Sequence, residues 1–87
     1  MATLLLDMNI HREKLEAALL AVDRQTVMDV LTFPHSDLTT EQSLEELVVP
    51  VLERIGEGWE TGEYSLSQVY MSGKICEDLI DNILPLS

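Results

Sequence analysis

The stretch Leu44-Glu45-Glu46-Leu47-Val48-Val49-Pro50-Val51-Leu52-Glu53-Arg54-Ile55 decides the fold. Leu44, Leu47, Val48, Val51, Leu52 and Ile55 recur at steps of three and four, so a helix gathers all six on one stripe. Thr40, Ser43 and Glu46 offer ways to cap its start. Pro50 removes one backbone donor and predicts a kink near Glu46 or Leu47.

The same spacing extends in both directions. Upstream, Leu15, Ala18, Leu19 and Val22 predict a first helix over about 9–21, with Asn9 as its N-cap. Val27, Val30 and Leu31 predict a second over about 23–31, capped by Asp23. Pro34 disfavours helical geometry at Phe33, so 33–39 reads as a loop. Downstream, Gly56, Gly58 and Gly62 crowd together and are expected to release the backbone into a turn. Ser65 or Ser67 then caps a fourth helix that reaches Leu84 and stops at Pro85. Its apolar positions are Val69, Tyr70, Gly73, Cys76, Ile80 and Ile83, with Ile75 and Leu79 alongside. A glycine inside a helix costs about 1 kcal/mol relative to alanine, so Gly73 predicts close approach of another helix. No segment alternates with period two, and no sheet is expected. The expected fold is all-α, a compact four-helix bundle.

Composition narrows the function classes. At 87 residues the chain makes one small domain, 1–87, with a modest core. Five basic residues face 16 acidic ones, for a net charge of -11. Nucleic acids and anionic membranes need clustered Lys and Arg, so neither is an expected partner. The single cysteine, Cys76, allows no intrachain disulfide and fits a cytoplasmic setting. Leu4-Leu5-Leu6 lacks a basic lead and ends at Asp7, unlike a signal peptide. No uncharged run, Leu47 to Leu52 included, is long enough to cross a membrane.

Groups that could carry chemistry read as structural. Glu13 with Glu16, and Glu45 with Glu46, read as solvated surface. His11 reads as exposed and His35 as a loop residue, and neither lies in a metal-ligand spacing. Cys76 falls on an apolar face and reads as core. No glycine-rich phosphate loop follows a strand. The Asp-Ser-Leu attachment site of acyl carrier proteins is absent, since Ser65-Leu66 follows Tyr64. An enzyme acting alone is not expected.

The chain from Leu44 to Leu84 resembles the helical cap domain of cobalamin-binding (corrinoid) proteins. Methionine synthase and the small corrinoid methyl-transfer proteins carry such caps. Their pattern is an apolar helix with an internal proline, then Gly-(Asp/Glu), an aromatic residue, Gly, and a Phe-Leu-Pro-Gln type of helix start. This chain reads Val49-Pro50-Val51-Leu52-Glu53-Arg54-Ile55-Gly56-Glu57-Gly58-Trp59-Glu60-Thr61-Gly62-Glu63-Tyr64-Ser65-Leu66-Ser67-Gln68-Val69. Order and spacing match over about 40 residues, while the first 40 match only as two short helices. Ser65 replaces the usual Phe and Ser67 the usual Pro, which makes the fourth helix start more polar and less rigid. A light-sensing branch has Glu-His where this chain has Val69-Tyr70, which argues against a photoreceptor.

The resemblance implies a cap over the upper face of the corrin, with Trp59, Leu66 and Val69 toward the cobalt's upper ligand. A corrin is a broad apolar disc with amides at its rim. An apolar lid keeps water and oxygen from the reactive upper ligand and from reduced cobalt. It must also lift to admit a substrate domain. From spacing alone, Trp59 falls four residues after Ile55 and equally continues the third-helix stripe as a core anchor. The Asp-x-His-x-x-Gly motif that ligates cobalt from below is absent around His11 and His35. The resemblance therefore implies either that 1–87 is the N-terminal cap of a longer protein or that it is an orphan cap. The implied partners are a Rossmann-like cobalamin-binding domain and a methyltransferase, with cobalamin touched on its upper face only. The alternative from another class is a ligand-free acidic helical module for interaction, including a homodimer.

Overall fold

A capping box starts the helix that carries the decisive stripe. Thr39 Oγ1 accepts the Gln42 N–H at 3.1 Å, and Gln42 Oε1 accepts the Thr39 N–H at 2.9 Å. The cap thus lies one residue before Thr40, and a glutamine closes the box. The computed structural model describes residues 2–33 and 38–84, with side chains from Met8 onward. These residues form α1 (Ala2–Leu20), α2 (Arg24–Thr32), α3 (Thr40–Glu60) and α4 (Leu66–Ile83), with no strand among them. This is the expected all-α four-helix fold. The loop expected around His35 lies outside the described residues.

Each helix packs against the other three. Leu15 and Leu19 of α1, Val27 of α2, Leu47 and Ile55 of α3 and Ile75 of α4 are fully buried where the helices meet. Burying each such side chain contributes about 1.5–3 kcal/mol, so packing stabilises these helices more than intrinsic propensity does. The smallest dimension of the molecule is 19 Å. That is two helix diameters of about 10 Å each, so the bundle is two layers thick.

Two boundary expectations change. The first helix begins at Ala2, and Asn9 lies inside it, accepting from Arg12 Nη1 at 3.3 Å. Met8 is buried seven residues before Leu15 and extends the same face, which gives the helix reason to start early. Gly56 and Gly58 lie inside α3, and only Gly62 belongs to the turn.

Pro50 sits in the middle of α3 without breaking it. It has no N–H, so the Glu46 carbonyl four residues earlier loses its helical partner. Arg12 of α1 replaces it. Its Nε donates to the Glu46 carbonyl at 2.9 Å, and its Nη2 meets the Glu46 carboxylate at 3.3 Å. The proline that interrupts one helix therefore ties it to another.

Two helices end in the same hydrogen-bond pattern. After α1, the Asp23 N–H reaches the Ala18 carbonyl at 2.8 Å and the Val22 N–H the Leu19 carbonyl at 3.1 Å. After α3, the Glu63 N–H reaches the Gly58 carbonyl at 2.7 Å and the Gly62 N–H the Trp59 carbonyl at 3.1 Å. This ending puts one residue at positive φ. Gly62 takes +83° and Val22 takes 56°. Glycine adopts that region freely, but a β-branched residue is strained there. Asp23 then caps α2 as its sequence position predicts, accepting the Thr26 N–H at 3.2 Å.

Val22→Gly is expected to raise the thermal midpoint. Relief of about 1–2 kcal/mol of left-handed strain exceeds the roughly 0.5–1 kcal/mol of chain freedom that glycine adds. A lower midpoint would disprove the strain. Arg12→Ala is expected to cost about 1 kcal/mol, and clearly less in a Pro50→Ala background, where residue 50 regains an N–H for Glu46. Denaturant melts of the four-variant cycle measure this, and equal costs in both backgrounds would refute it.

Candidate functional site

The turn between α3 and α4 is built on the Gly58 carbonyl. It accepts the N–H of Glu63 at 2.7 Å and of Tyr64 at 3.1 Å, and the Thr61 hydroxyl at 3.1 Å. Gly58 is buried because the Tyr64 ring lies against it, and a β-carbon there would collide with that ring. Glycine is needed here for close approach and not for turn freedom. The Tyr64 hydroxyl donates to Glu16 Oε2 on α1 at 3.1 Å, and Glu16 Oε1 pairs with Arg54 Nε at 2.7 Å. Glu16 is therefore a largely covered, doubly held carboxylate, not the solvated one expected. Desolvation, then the Glu16 bond and charge, hold the Tyr64 phenol above its ordinary pKa. It remains a protonated donor at neutral pH.

α4 starts on a second capping box. Ser65 Oγ accepts the Gln68 N–H at 3.2 Å, and Gln68 Oε1 accepts the Ser65 N–H at 2.8 Å. The serine at 65 thus fixes the start of the helix that it was expected to loosen. The buried face of α4 is Ser72, Ile75, Cys76 and Leu79. At about 100° per residue, Leu66, Tyr70, Gly73 and Glu77 lie roughly a third of a turn away from that face. Leu66 is 63% exposed and Tyr70 67%. Val69 lies between the two faces, partly buried against the core. The apolar set expected for this helix therefore merged two faces, and Tyr70 and Gly73 are not core. No helix approaches Gly73, since a β-carbon there would meet nothing within 4 Å. Val69, Tyr70, Gly73, Lys74 and Glu77 line an open groove of about 440 Å³. Lys74 is held charged above its ordinary pKa, chiefly by Asp78 and then by Glu77.

Trp59 stands in the last turn of α3, 48% exposed and outside the core cluster. The stripe that ends at Ile55 continues through Gly58, covered by Tyr64, so Trp59 is not the core anchor. Of the three residues singled out in the sequence, Trp59 and Leu66 are exposed and Val69 half so. Val69 lines the groove, and Trp59 and Leu66 do not. Tyr70 and Gly73 are the additional residues there. Their signal was present as a second helical stripe, misread as part of the first.

The surface offers shape more than reactivity. Cys76 is buried, and burial pushes its thiol up to about 11. His11 is half-buried with its ring 4.7 Å from that of Phe33, not exposed as expected. Among the described residues no group of three or more His, Cys, Asp and Glu could hold a metal ion. No described helix is long and apolar enough to cross a membrane.

Fold and surface define a helical module that leaves Trp59, Leu66 and Tyr70 exposed on either side of the turn between two helices. The model of the B12 binding domain family matches residues 11–84, and this chain belongs to that family of cobalamin-binding helical caps. The match includes α2 and much of α1, where sequence motifs were weak. No curated protein and no solved structure matches the chain. The exposed residues Trp59, Leu66 and Tyr70 suit the broad apolar face of the corrin that the family implies. In the groove, a β-carbon at Gly73 would stand in open space beside the apolar Val69, so nothing there obstructs a flat ring. Lys74 and Glu77 at the groove's edge supply a donor and an acceptor suited to rim amides.

Gly73→Ala is expected to stabilise the chain by about 1 kcal/mol, because alanine improves helix propensity and its β-carbon meets nothing. A denaturant melt showing lost stability would mean that another part of the chain fills the groove.

Proposed function

We propose that this cap shields the upper face of the corrin in a methyl-transfer corrinoid protein, with Trp59, Leu66 and Val69 against the upper ligand. One observation carries the reading. A member of a cobalamin-binding family leaves Trp59, Leu66 and Tyr70 exposed within twelve residues around one helix–helix turn. Each large apolar side chain left in water forgoes about 1.5–3 kcal/mol that burial would supply. Covering the corrin recovers part of it.

Bound cobalamin supplies a cobalt centre that can carry a methyl group on its upper side. The residues of this chain position and shield. Trp59 and Leu66 exclude water and oxygen from that side. Val69 is anchored by the core beneath it and sets the depth of contact. The Ser65–Gln68 box keeps Leu66 on a fixed first turn, so little freedom is lost when the surfaces meet. No proton transfer is assigned to these side chains. A Rossmann-like domain would hold the cobalamin from its other side, a methyltransferase would be the partner in methyl transfer, and the setting would be cytoplasmic.

The exposed side chains also favour a second reading, a homodimer that buries them. Two measurements separate these. Trp59→Ala in the isolated chain is expected to cost well under the about 3–5 kcal/mol of a buried aromatic. In the cobalamin-loaded complete protein it is expected to speed air oxidation of the reduced cofactor without releasing it. If Trp59→Ala unfolds the chain and leaves the oxidation rate unchanged, the lid assignment fails. A dimer that persists on size exclusion with the loaded lower domain present would favour the second reading.

A further inference from the structure

We infer that Tyr64 is the positioning residue of the lid: it latches the α3–α4 turn onto α1 and so fixes Trp59. Trp59 lies outside the core cluster, so its location depends on the backbone that carries it. That backbone is held at the adjacent residue. The Gly58 carbonyl accepts the Glu63 and Tyr64 N–H groups, and the Tyr64 ring covers the face where a side chain at 58 would stand. The ring is held in turn from α1. Its hydroxyl reaches Glu16 Oε2 at 3.1 Å, across 48 residues of sequence.

The far side of the latch is also closed. Glu16 Oε1 meets Arg54 Nε at 2.7 Å. Arg54 lies four residues before Gly58, one turn earlier on the same face of α3. Arg54, Glu16, Tyr64 and Gly58 therefore form a circuit that leaves α3, crosses α1 and returns to α3 beside Trp59. A residue at 58 larger than glycine would push the ring out and open the circuit. A phenylalanine at 64 would keep the ring and lose the hold on α1.

Trp59 is the only tryptophan, so fluorescence excited beyond the absorption of the two tyrosines reports its position alone. Tyr64→Phe and Glu16→Ala both break the latch, the first with the ring retained. Each is expected to lower Trp59 anisotropy and raise acrylamide quenching. The ceiling is about twofold, the ratio between a fully exposed ring and one 48% exposed. Glu16→Gln keeps an oxygen acceptor for the phenol and is expected to leave both signals near those of the parent chain. Arg54→Ala removes only the far closure and is expected to shift them less than Tyr64→Phe. A Tyr64→Phe chain that melts earlier with unchanged Trp59 signals would show a merely structural tyrosine and overturn the latch.

The functional consequence rests on the lid reading, and the two separate cleanly. In the loaded complete protein, Tyr64→Phe is expected to speed oxidation of the reduced cofactor in the same direction as Trp59→Ala. If Tyr64→Phe frees Trp59 but neither variant changes oxidation, the latch stands and the lid reading fails. If Trp59→Ala speeds oxidation while Tyr64→Phe leaves Trp59 in place, the lid stands and the latch fails.

Discussion

The seam between α1 and α3 is the constraint on which the rest of the molecule depends. The buried stripe of α3 packs most closely against α1. Polar ties then set how the two helices align. Arg12 and Glu16 stand one turn apart on α1. Glu46, Pro50, Arg54 and Gly58 follow at steps of four on α3. Arg12 meets Glu46 and Glu16 meets Arg54, with opposite signs in the two pairs. Sliding either helix by one turn would break both pairs and set Arg12 and Glu16 against uncharged residues of α3. Exposed ion pairs are worth only about 0–1 kcal/mol each, so these ties choose the register while the apolar stripe supplies the stability. The seam also reaches the site, because its last members, Arg54 and Gly58, support the turn beside Trp59.

What was legible in the sequence followed from periodicity and local chemistry. The α3 stripe, the Asp23 cap and the Ser65 cap each depend on neighbours within a few residues, so spacing alone exposes them. What was illegible depended on contacts between distant positions. Gly58 reads as a turn residue until Tyr64 is seen lying on it. Glu16 reads as surface until Tyr64 and Arg54 converge on it from α3 and the following turn. Trp59 could continue the Ile55 stripe or leave it, and only the covered Gly58 decides. On α4 the spacing revealed apolar residues without revealing that they form two stripes. Helical period fixes which residues share a face, but not which face meets the neighbours.

The second stripe is what separates a cap from an ordinary bundle. A bundle helix needs one apolar face, and α4 has Ser72, Ile75, Cys76 and Leu79 for that purpose. Leu66, Tyr70 and the unfilled space at Gly73 are extra, and within the chain they are unfavourable. Gly73 forgoes helix propensity without gaining a neighbour. Exposed Leu66 and Tyr70 forgo burial. Such departures from local consistency collect where a protein meets something else. The departures here run along the part of α4 where Val69 stands, which the corrin reading requires.

Exposed apolar side chains invite self-association, and the charge of the chain works against it. Glu41, Glu45, Glu53 and Glu57 recur at multiples of four along α3, all exposed, with Val49 completing the series. Like charges one turn apart cost about 0.2–0.5 kcal/mol per pair. That is small beside the about 1.5–3 kcal/mol from each buried apolar side chain, so the fold tolerates them. Two copies brought together over these side chains would each carry the net charge of -11, and that repulsion favours the monomer. A corrin, whose rim is amide, imposes no comparable penalty. On the lid reading, the acidic surface thus discriminates between the two bodies that could cover these exposed side chains, because only the second copy brings a charge of the same sign and size.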